Sequence, residues 1–362
     1  MNWVRFVFQT SDATLNSIVR YLALFPLLLC ACSQRSAPIP IQPAFATQPV
    51  NDNADDCAIW ANRSNPQRSL IFGTNHADGA GGALMVYDLS GKVRQTIGGI
   101  ESAGSVDVEY NISIGGRASD LLVLAEQRRQ RLRIMRVWPD GSGVEENSEI
   151  PVFEKQMGDF AEPVGLALYR RPSDGSVFAI VGRKKGPRKG YLWQYRLFTD
   201  DKARVRGEKI REFGDSAGNI RAVAVDDEAG FVYYADADDS IRKWHADPDH
   251  PAAAKEVARF GIDGFRGSRA GIAIYAAANG EGYIVCTDQT GSASEFRIYD
   301  RKDPSKLLKV ISGGGDTGAW LDVSNANLGK DFARGMMVAM NGAARNYLVF
   351  RWADIVETAK LK

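Results

Sequence analysis

Apolar residues recur along the chain in pairs of short runs, and a polar or glycine-rich turn separates the two runs of each pair. The first run is almost continuously apolar, as at residues 121–125, which is typical of a strand buried on both faces. The second run alternates between apolar and polar residues, as at residues 296–299, which suits a strand nearer the rim of a sheet. Six such pairs occur, at residues 69–88, 120–138, 177–197, 230–244, 282–300 and 335–352.

The even spacing of these pairs predicts the architecture. Their second runs start roughly 50 residues apart, which is the length of one four-stranded propeller blade. Shorter apolar runs between the pairs, at residues 165–169, 222–225 and 271–275, would supply inner strands. We therefore predict an all-β fold, a six-bladed β-propeller of four-stranded antiparallel sheets over residues 51–362. The alternative, two stacked β-sandwiches, explains the even spacing less well.

The first 32 residues have the features of an export signal. Basic residues precede an apolar run at residues 21–29, which is too short for a permanent membrane span, and small residues follow it. Residues 29–32 resemble the lipobox of bacterial lipoproteins, so Cys32 is the predicted lipidation site. An ordinary signal peptide with incidental cysteines is the alternative. Residues 33–50 are rich in proline and glutamine and predict a flexible tether.

Charge and cysteine content narrow the class of protein. The 362 residues include 45 Lys and Arg against 44 Asp and Glu, a balance that argues against a nucleic-acid binder. The three histidines form no HxxxH pair, so a zinc hydrolase site is not expected. Beyond the N-terminal segment, Cys57 and Cys286 could pair in an oxidising compartment, but two buried thiols are the favoured interpretation. We expect an exported protein that is a monomer. It would be a lipoprotein of the cell envelope, periplasmic or anchored to the outer membrane, or otherwise a secreted protein. It would contact membrane only through its N-terminal lipid.

Residues 52–60, Asp-Asn-Ala-Asp-Asp-Cys-Ala-Ile-Trp, resemble the opening motif of bacterial β-propeller phytases, in which proline stands at the position of Cys57. Further matching motifs follow in register at residues 70–75, 86–92, 105–110, 162–169, 225–228, 234–236, 282–284, 298–301 and 346–352. The resemblance therefore covers residues 50–356, across all six blades. It implies a 3-phytase-like enzyme that uses Ca²⁺ to hydrolyse phosphate monoesters of phytate-like small molecules.

The chemistry of such a substrate requires concentrated positive charge. Calcium supplies it and prefers hard oxygen ligands, and a calcium pair can clamp a phosphate and activate a bridging water. Adjacent carboxylates at Asp55 and Asp56 are costly unless a cation lies between them, although a solvated acidic turn is the alternative. The resemblance implies calcium ligands at Asp52, Asp55, Asp56, Asp107, Asp236, Gln289 and Asn346. It also implies a catalytic set of Asp55, Asp56 and Asp316, with the local alignment ambiguous between Asp316 and Asp322.

Basic residues would hold the phosphates. Arg128 is the best match to a family arginine, and Lys184 lies in the basic run 183–189, near the place of a family lysine. Solvated turns are the alternative for both. Arg221 replaces a family glutamate, and its guanidinium could grip a phosphate bidentately where a calcium ligand is lost.

Other family positions also carry different residues in this chain. His76 and Ala77 replace paired lysines, Val164 replaces a tyrosine, and Ser268 and Ala270 replace an Asp-x-Glu pair. These positions contribute to the family's calcium sites nearest the scissile phosphate. Two hypotheses follow: a calcium-dependent phosphomonoesterase, or a non-catalytic envelope propeller with a binding or scaffold role and a degenerate site.

Overall fold

A computed structural model describes residues 37–291, 294–313 and 318–362. In this part of the chain, 25 strands form six sheets arranged as the blades of a propeller. Neighbouring strands within each blade are antiparallel, and the six predicted strand pairs lie at the centres of the six blades. The predicted six-bladed β-propeller of four-stranded sheets is confirmed.

The strands follow one another in a repeated order from the channel to the rim. The chain first forms two short strands, β1 (Ile39–Pro40) and β2 (Phe45–Ala46). Blades 1 to 5 then each contain four consecutive strands. Blade 1 contains β3 (Asn53–Trp60), β4 (Leu70–His76), β5 (Gly82–Asp88) and β6 (Val93–Ile100), and blade 2 contains β7 (Ala103–Ile114), β8 (Arg117–Glu126), β9 (Arg131–Val137) and β10 (Val144–Pro151). Blade 3 contains β11 (Pro163–Arg170), β12 (Val177–Arg183), β13 (Lys189–Thr199) and β14 (Val205–Asp215), blade 4 contains β15 (Ile220–Asp226), β16 (Phe231–Asp236), β17 (Ser240–His245) and β18 (Glu256–Phe260), and blade 5 contains β19 (Ser268–Ala276), β20 (Gly282–Gln289), β21 (Ser294–Asp300) and β22 (Leu307–Ser312). Blade 6 contains β23 (Leu321–Ser324), β24 (Met336–Asn341) and β25 (Asn346–Arg351), and a helix, α1 (Trp352–Ala359), follows it.

The N-terminal strands complete the last two blades. β2 pairs with β25 as the outermost strand of blade 6, with the Ala44 N–H donating to the Val349 carbonyl (2.7 Å). β1 pairs in parallel with β22 as a fifth strand of blade 5. Residues 37–362 accordingly form one compact unit, so the flexible tether predicted over residues 33–50 differs from the structure from residue 37 onward. The predicted export signal over residues 1–32, with Cys32, lies outside the described residues.

Burial along the strands explains the hydrophobic pattern of the sequence. Every residue of β12 is buried, because neighbouring blades cover both faces of this strand. The rim strand β6 instead alternates between half-buried and exposed residues over most of its length. Helix α1 packs Trp352, Ile355 and Ala359 against the core between blades 5 and 6. In the part of the chain that the structure describes, no helix is long and apolar enough to cross a membrane.

The innermost strands β3, β7, β11, β15, β19 and β23 surround a central channel. Because every blade has the same strand order, these six strands run in the same direction along the channel. We call the face at which they begin the upper face, and the face at which they end the lower face. The first residues of β3, including Asp55 and Asp56, therefore lie towards the upper face.

Candidate active site

Asp56 is a buried carboxylate held by hydrogen bonds from two blades. Its Oδ1 accepts the N–H of Cys57 at 2.8 Å, and its Oδ2 accepts the N–H of Val106 on β7 at 3.2 Å. Its own N–H donates to Oγ1 of Thr74 at 3.0 Å. Burial and the neighbouring Asp55 charge raise the pKa of Asp56 well above its ordinary value. The fold therefore fixes this side chain but leaves its negative charge uncompensated.

Asp55 lies half-buried beside two side chains that can carry positive charge. Burial raises its pKa, while the charges of His76 and Arg221 and a hydrogen bond with Trp320 oppose that rise. These partners come from the ends or starts of strands in different blades, so Asp55 faces the mouth of the channel. Nδ1 of His76, at the end of β4, lies 3.1 Å from the carbonyl oxygen of Ala103 in blade 2, so the ring bridges blades 1 and 2. The structure thus brings the predicted residues Asp55, Asp56 and Arg221 to one place.

Two further aspartates lie deeper in the channel and repeat the bonding of Asp56. Asp107 accepts N–H groups from Val108 (2.7 Å) and, on blade 3, Leu168 (2.7 Å). Asp322 accepts the N–H of Val323 (2.7 Å) and, on blade 1, that of Ile59 (2.8 Å). Burial raises the pKa of each carboxyl to about 7.

These three aspartates line a cavity of about 120 Å³ in the channel. Asp107, a predicted calcium ligand, accordingly ties blade 2 to blade 3. The sequence analysis did not predict that Asp322 joins two blades, although a sequence pattern shared with Asp56 and Asp107 indicates it. In Asp56, Asp107 and Asp322 alike, the aspartate is followed by an apolar residue or cysteine in an innermost strand.

The predicted phosphate-binding residues Arg128 and Lys184 converge on one carboxylate, which the sequence analysis missed. Nη1 of Arg128 lies 2.9 Å from Oε1 of Glu162, and Nζ of Lys184 lies 3.1 Å from its Oε2. The Glu162 side chain is 9% exposed, whereas those of Arg128 and Lys184 are 55% and 47% exposed. Asp159 adds an ion pair to Lys184 at 3.2 Å. The two cations are therefore brought together on the upper face, with a carboxylate between them.

The basic run 183–189 is only partly a solvated turn. Arg183 is buried and donates to the carbonyl oxygens of Tyr191 (3.1 Å) and Gly190 (2.9 Å). Its guanidinium also lies over the rings of Phe153 and Trp193. Arg183 is thus a packing residue, and Lys184 is the member of the run that faces the candidate site.

Asp236 differs most from its predicted role as a calcium ligand. Its carboxylate is fully buried and pairs with the guanidinium of Arg242, with Nη2 at 3.0 Å from Oδ2. The same carboxylate accepts the N–H of Ala217 (2.8 Å) and the hydroxyl of Ser216 (3.1 Å). Both oxygens are therefore already engaged, and Asp236 anchors the loop that leads into β15.

The remaining predicted ligands lie at the upper ends of several blades. Asp52 is exposed and donates its N–H to Oδ1 of Asn75 at 2.8 Å. Gln289 ends β20, and Asn346 begins β25 and accepts a hydrogen bond from Nδ2 of Asn341 at 2.8 Å. Among the residues described, no three His, Cys, Asp or Glu side chains converge closely enough to hold a metal ion. Asp316 lies outside the described residues.

The buried side chain of Arg269 lies between the replaced family positions Ser268 and Ala270. Its guanidinium donates to the carbonyl oxygens of Gly261 (2.7 Å) and Ile262 (2.6 Å). Arg269 is buried and fastens the loop between blades 4 and 5. Cys57 and Cys286 are both buried free thiols, as the favoured interpretation of the sequence expected.

Comparisons with known proteins identify the family of this chain. The sequence profile of the family named Phytase matches residues 30–357. The chain is 28% identical over 330 residues to the 3-phytase of Bacillus subtilis (strain 168), an alignment that covers 86% of this chain and 83% of that protein. Among solved structures it is similar to the β-propeller domain of Myceliophteria thermophila Cps50 (Swd1), with a TM-score of 0.47, 13% identity and coverage of 84% and 85% of the two chains. Because the family profile spans most of its length, this chain belongs to the phytase family.

Proposed function

We propose that this protein is a calcium-dependent phosphomonoesterase that acts on phytate-like small molecules at the upper mouth of its channel. The observation that carries the proposal is the pair of adjacent carboxylates, half-buried Asp55 and buried Asp56, beside the cationic Arg221. Family membership supports phosphate ester hydrolysis, and the similarity to the 3-phytase of Bacillus subtilis supports phytate as the substrate class.

The donor set at Asp55 and Asp56 fits a calcium ion by its chemistry. Carboxylate oxygens are hard ligands, and a divalent cation would relieve the repulsion that raises the pKa of Asp56. Because the oxygens of Asp56 already accept two N–H groups, further ligands would have to come from Asp55, water and the substrate phosphate. Bound there, calcium would neutralise phosphate charge and make a bound water more acidic.

The side chains of this chain perform the remaining tasks. Water is the nucleophile: its oxygen forms the new bond to phosphorus as the bond to the ester oxygen breaks. Asp55 faces the mouth of the channel, where its carboxylate would accept a proton from that water. Arg221 can grip the reacting phosphate bidentately, and Arg128 and Lys184 can hold further phosphates of the same substrate.

A second candidate function is phosphate binding without turnover. Ser268 and Ala270, on either side of the buried Arg269, stand where the family carries carboxylates, and Glu162 neutralises Arg128 and Lys184. Such a site would retain a polyphosphate on the upper face but lack a full set of calcium ligands. Lipidation at Cys32 and a monomeric envelope protein remain predictions in either case.

Phosphate release from phytate and from 4-nitrophenyl phosphate, with calcium or with a chelator, tests the first function. We expect release only with calcium, and a loss of about 100-fold or more in kcat/KM for Asp55→Asn and Arg221→Ala. Arg196→Ala, an exposed arginine on β13, serves as the matched control. Calorimetry should also show calcium binding that Asp55→Asn removes. Saturable phytate binding without release at any pH would instead establish the second function.

A further inference from the structure

A second cavity of about 670 Å³ lies on the lower face, between blade 5 and the end of α1. Its walls include Tyr275 near the end of β19, Tyr283 near the start of β20, and Leu361 after the helix. Asp55 and Asp56 lie near the opposite end of the innermost strands. The volume is that of a typical small-molecule site, and the cavity is separate from the candidate active site.

The charges that line this cavity are unbalanced. Lys309, Arg334 and Lys360 line it, and none of the three has an ion-pair partner among the residues described. Of the acids that line it, Glu281 pairs with Lys302, whereas Asp300 accepts backbone N–H groups and keeps its charge, so the three cations outnumber the one carboxylate without an ion pair among the residues described. A ligand with an anionic group would find three uncommitted cations here.

The floor of the cavity is apolar. Tyr275 stacks on Trp352 with ring centroids 4.2 Å apart and an interplanar angle of 12°. The hydroxyl of Tyr275 is already committed to the Arg334 carbonyl oxygen at 2.9 Å, so carbon surface of its ring remains. Leu308 and Leu361 extend this surface. In addition, Nε1 of Trp352 is fully buried without a hydrogen-bond partner in the described structure.

We propose that this cavity binds an amphipathic anion. Its apolar body would lie on Tyr275, Leu308 and Leu361, and its phosphate or carboxylate group would lie among Lys309, Arg334 and Lys360. The shared chemistry is that of an anionic lipid and of a free anionic amphiphile. The proposal does not depend on the function proposed for the upper face.

Binding of monomeric dodecyl phosphate, measured by calorimetry on the full chain, tests the proposal. We expect saturable binding of one molecule, weakened at least about tenfold by Lys309→Glu combined with Arg334→Glu. Lys330→Glu, an exposed lysine that does not line the cavity, should bind as the parent does. If the double variant does not fold, Arg334→Ala takes its place, with the same direction of change expected.

The controls distinguish binding through charge from binding through apolar surface, and they identify whether the ligand is a membrane lipid or a soluble amphiphile. Absence of saturable binding, or equal binding by parent and variant, would overturn the proposal, as would equally tight binding of uncharged dodecyl maltoside. Co-sedimentation with vesicles containing phosphatidylglycerol, lost in the double variant, would identify a membrane lipid as the source. Binding of the free amphiphile alone would identify a soluble one. The variants should hydrolyse phosphate esters at the parent rate, so failure here is distinct from failure of the proposed function.

Discussion

At the residue scale, Glu162 decides how available the phosphate-binding cations are. Its carboxylate lies between Arg128 and Lys184, both about half exposed, and a substrate phosphate has to displace it to reach them. Because both cations are about half exposed, solvent screens these pairs and each contributes on the order of 1 kcal/mol or less, so the substrate can displace Glu162 at a small energetic cost. Glu162 therefore competes with substrate phosphates for Arg128 and Lys184 and weakens substrate binding on this side of the channel.

Replacing Glu162 by Gln removes that competition while keeping the shape of the side chain. We expect KM for phytate to fall about three- to tenfold with kcat nearly unchanged, because the energy of breaking two ion pairs of about 0.2–1 kcal/mol no longer opposes binding. Steady-state kinetics measure this directly. Glu101→Gln, which loses an ion pair with Arg129 instead, is the control. An unchanged or higher KM would show that Glu162 orients the two cations rather than competing for them.

The candidate site was predictable where its residues are neighbours in sequence or match a motif. Asp55 and Asp56 are adjacent, and Arg128 and Lys184 lie on consecutive blades, so their positions on the upper face followed from the repeat. The engagement of Asp236 by Arg242 and the tie from Asp322 to Ile59 depend on contacts between strands or blades. Such contacts leave no spacing pattern in a single sequence.

At the element scale, the N-terminal strands show why the composition of residues 33–50 did not predict β1 and β2. Residues 33–50 are rich in proline and glutamine, which is typical of a flexible segment, and β1 and β2 are only two residues long. A two-residue strand has no hydrophobic period to detect. The segment nevertheless buries Ile41 and Val50 and covers the exposed edge of β25. The strands of the six predicted pairs, by contrast, were placed by their hydrophobic pattern, and so were the inner strands β11, β15 and β19.

Two truncated chains test the role of this segment. A chain that begins at residue 37 should melt like the parent, whereas one that begins at residue 51 loses β1 and β2. Burial of Ile41 and Val50 contributes about 1.5–3 kcal/mol each, so we expect a fall of about 6 °C or more in Tm. Thermal unfolding followed by circular dichroism measures both. Equal melting of the two truncated chains would contradict a closing role for the N-terminal strands.

At the scale of the whole molecule, channel carboxylates link four consecutive blades of the ring. Asp322 of blade 6 accepts an N–H from blade 1, Asp56 of blade 1 accepts one from blade 2, and Asp107 of blade 2 accepts one from blade 3. The first of these contacts crosses the junction at which the propeller closes, between its last and first blades. Because burial raises the pKa of Asp107 and Asp322 to about 7, the stability of the closed ring should depend on pH near neutrality.

Asp322→Asn tests this dependence, measured in a chelator so that metal binding does not contribute. The pKa of Asp322 is about 7 in the folded chain against an ordinary 3.8, so between these values only the folded state keeps the proton. Raising the pH through this window therefore lowers the free energy of unfolding, by about 2 kcal/mol between pH 5 and pH 7. The variant lacks this titration, so the difference between its Tm and that of the parent should rise by about 4 °C from pH 5 to pH 8.

The direction of this change is more informative than the absolute stability of the variant. The amide can accept only one of the two N–H groups now bound by Asp322, so the variant should be less stable than the parent at pH 5. Asp331→Asn, an exposed acid on the same blade, controls for the loss of one charge and should shift Tm equally at both pH values. A pH-independent Tm difference between Asp322→Asn and the parent would mean that Asp322 is ionised throughout this range. Closure of the ring would then rest on charged carboxylates, and the channel would need a bound cation to hold them.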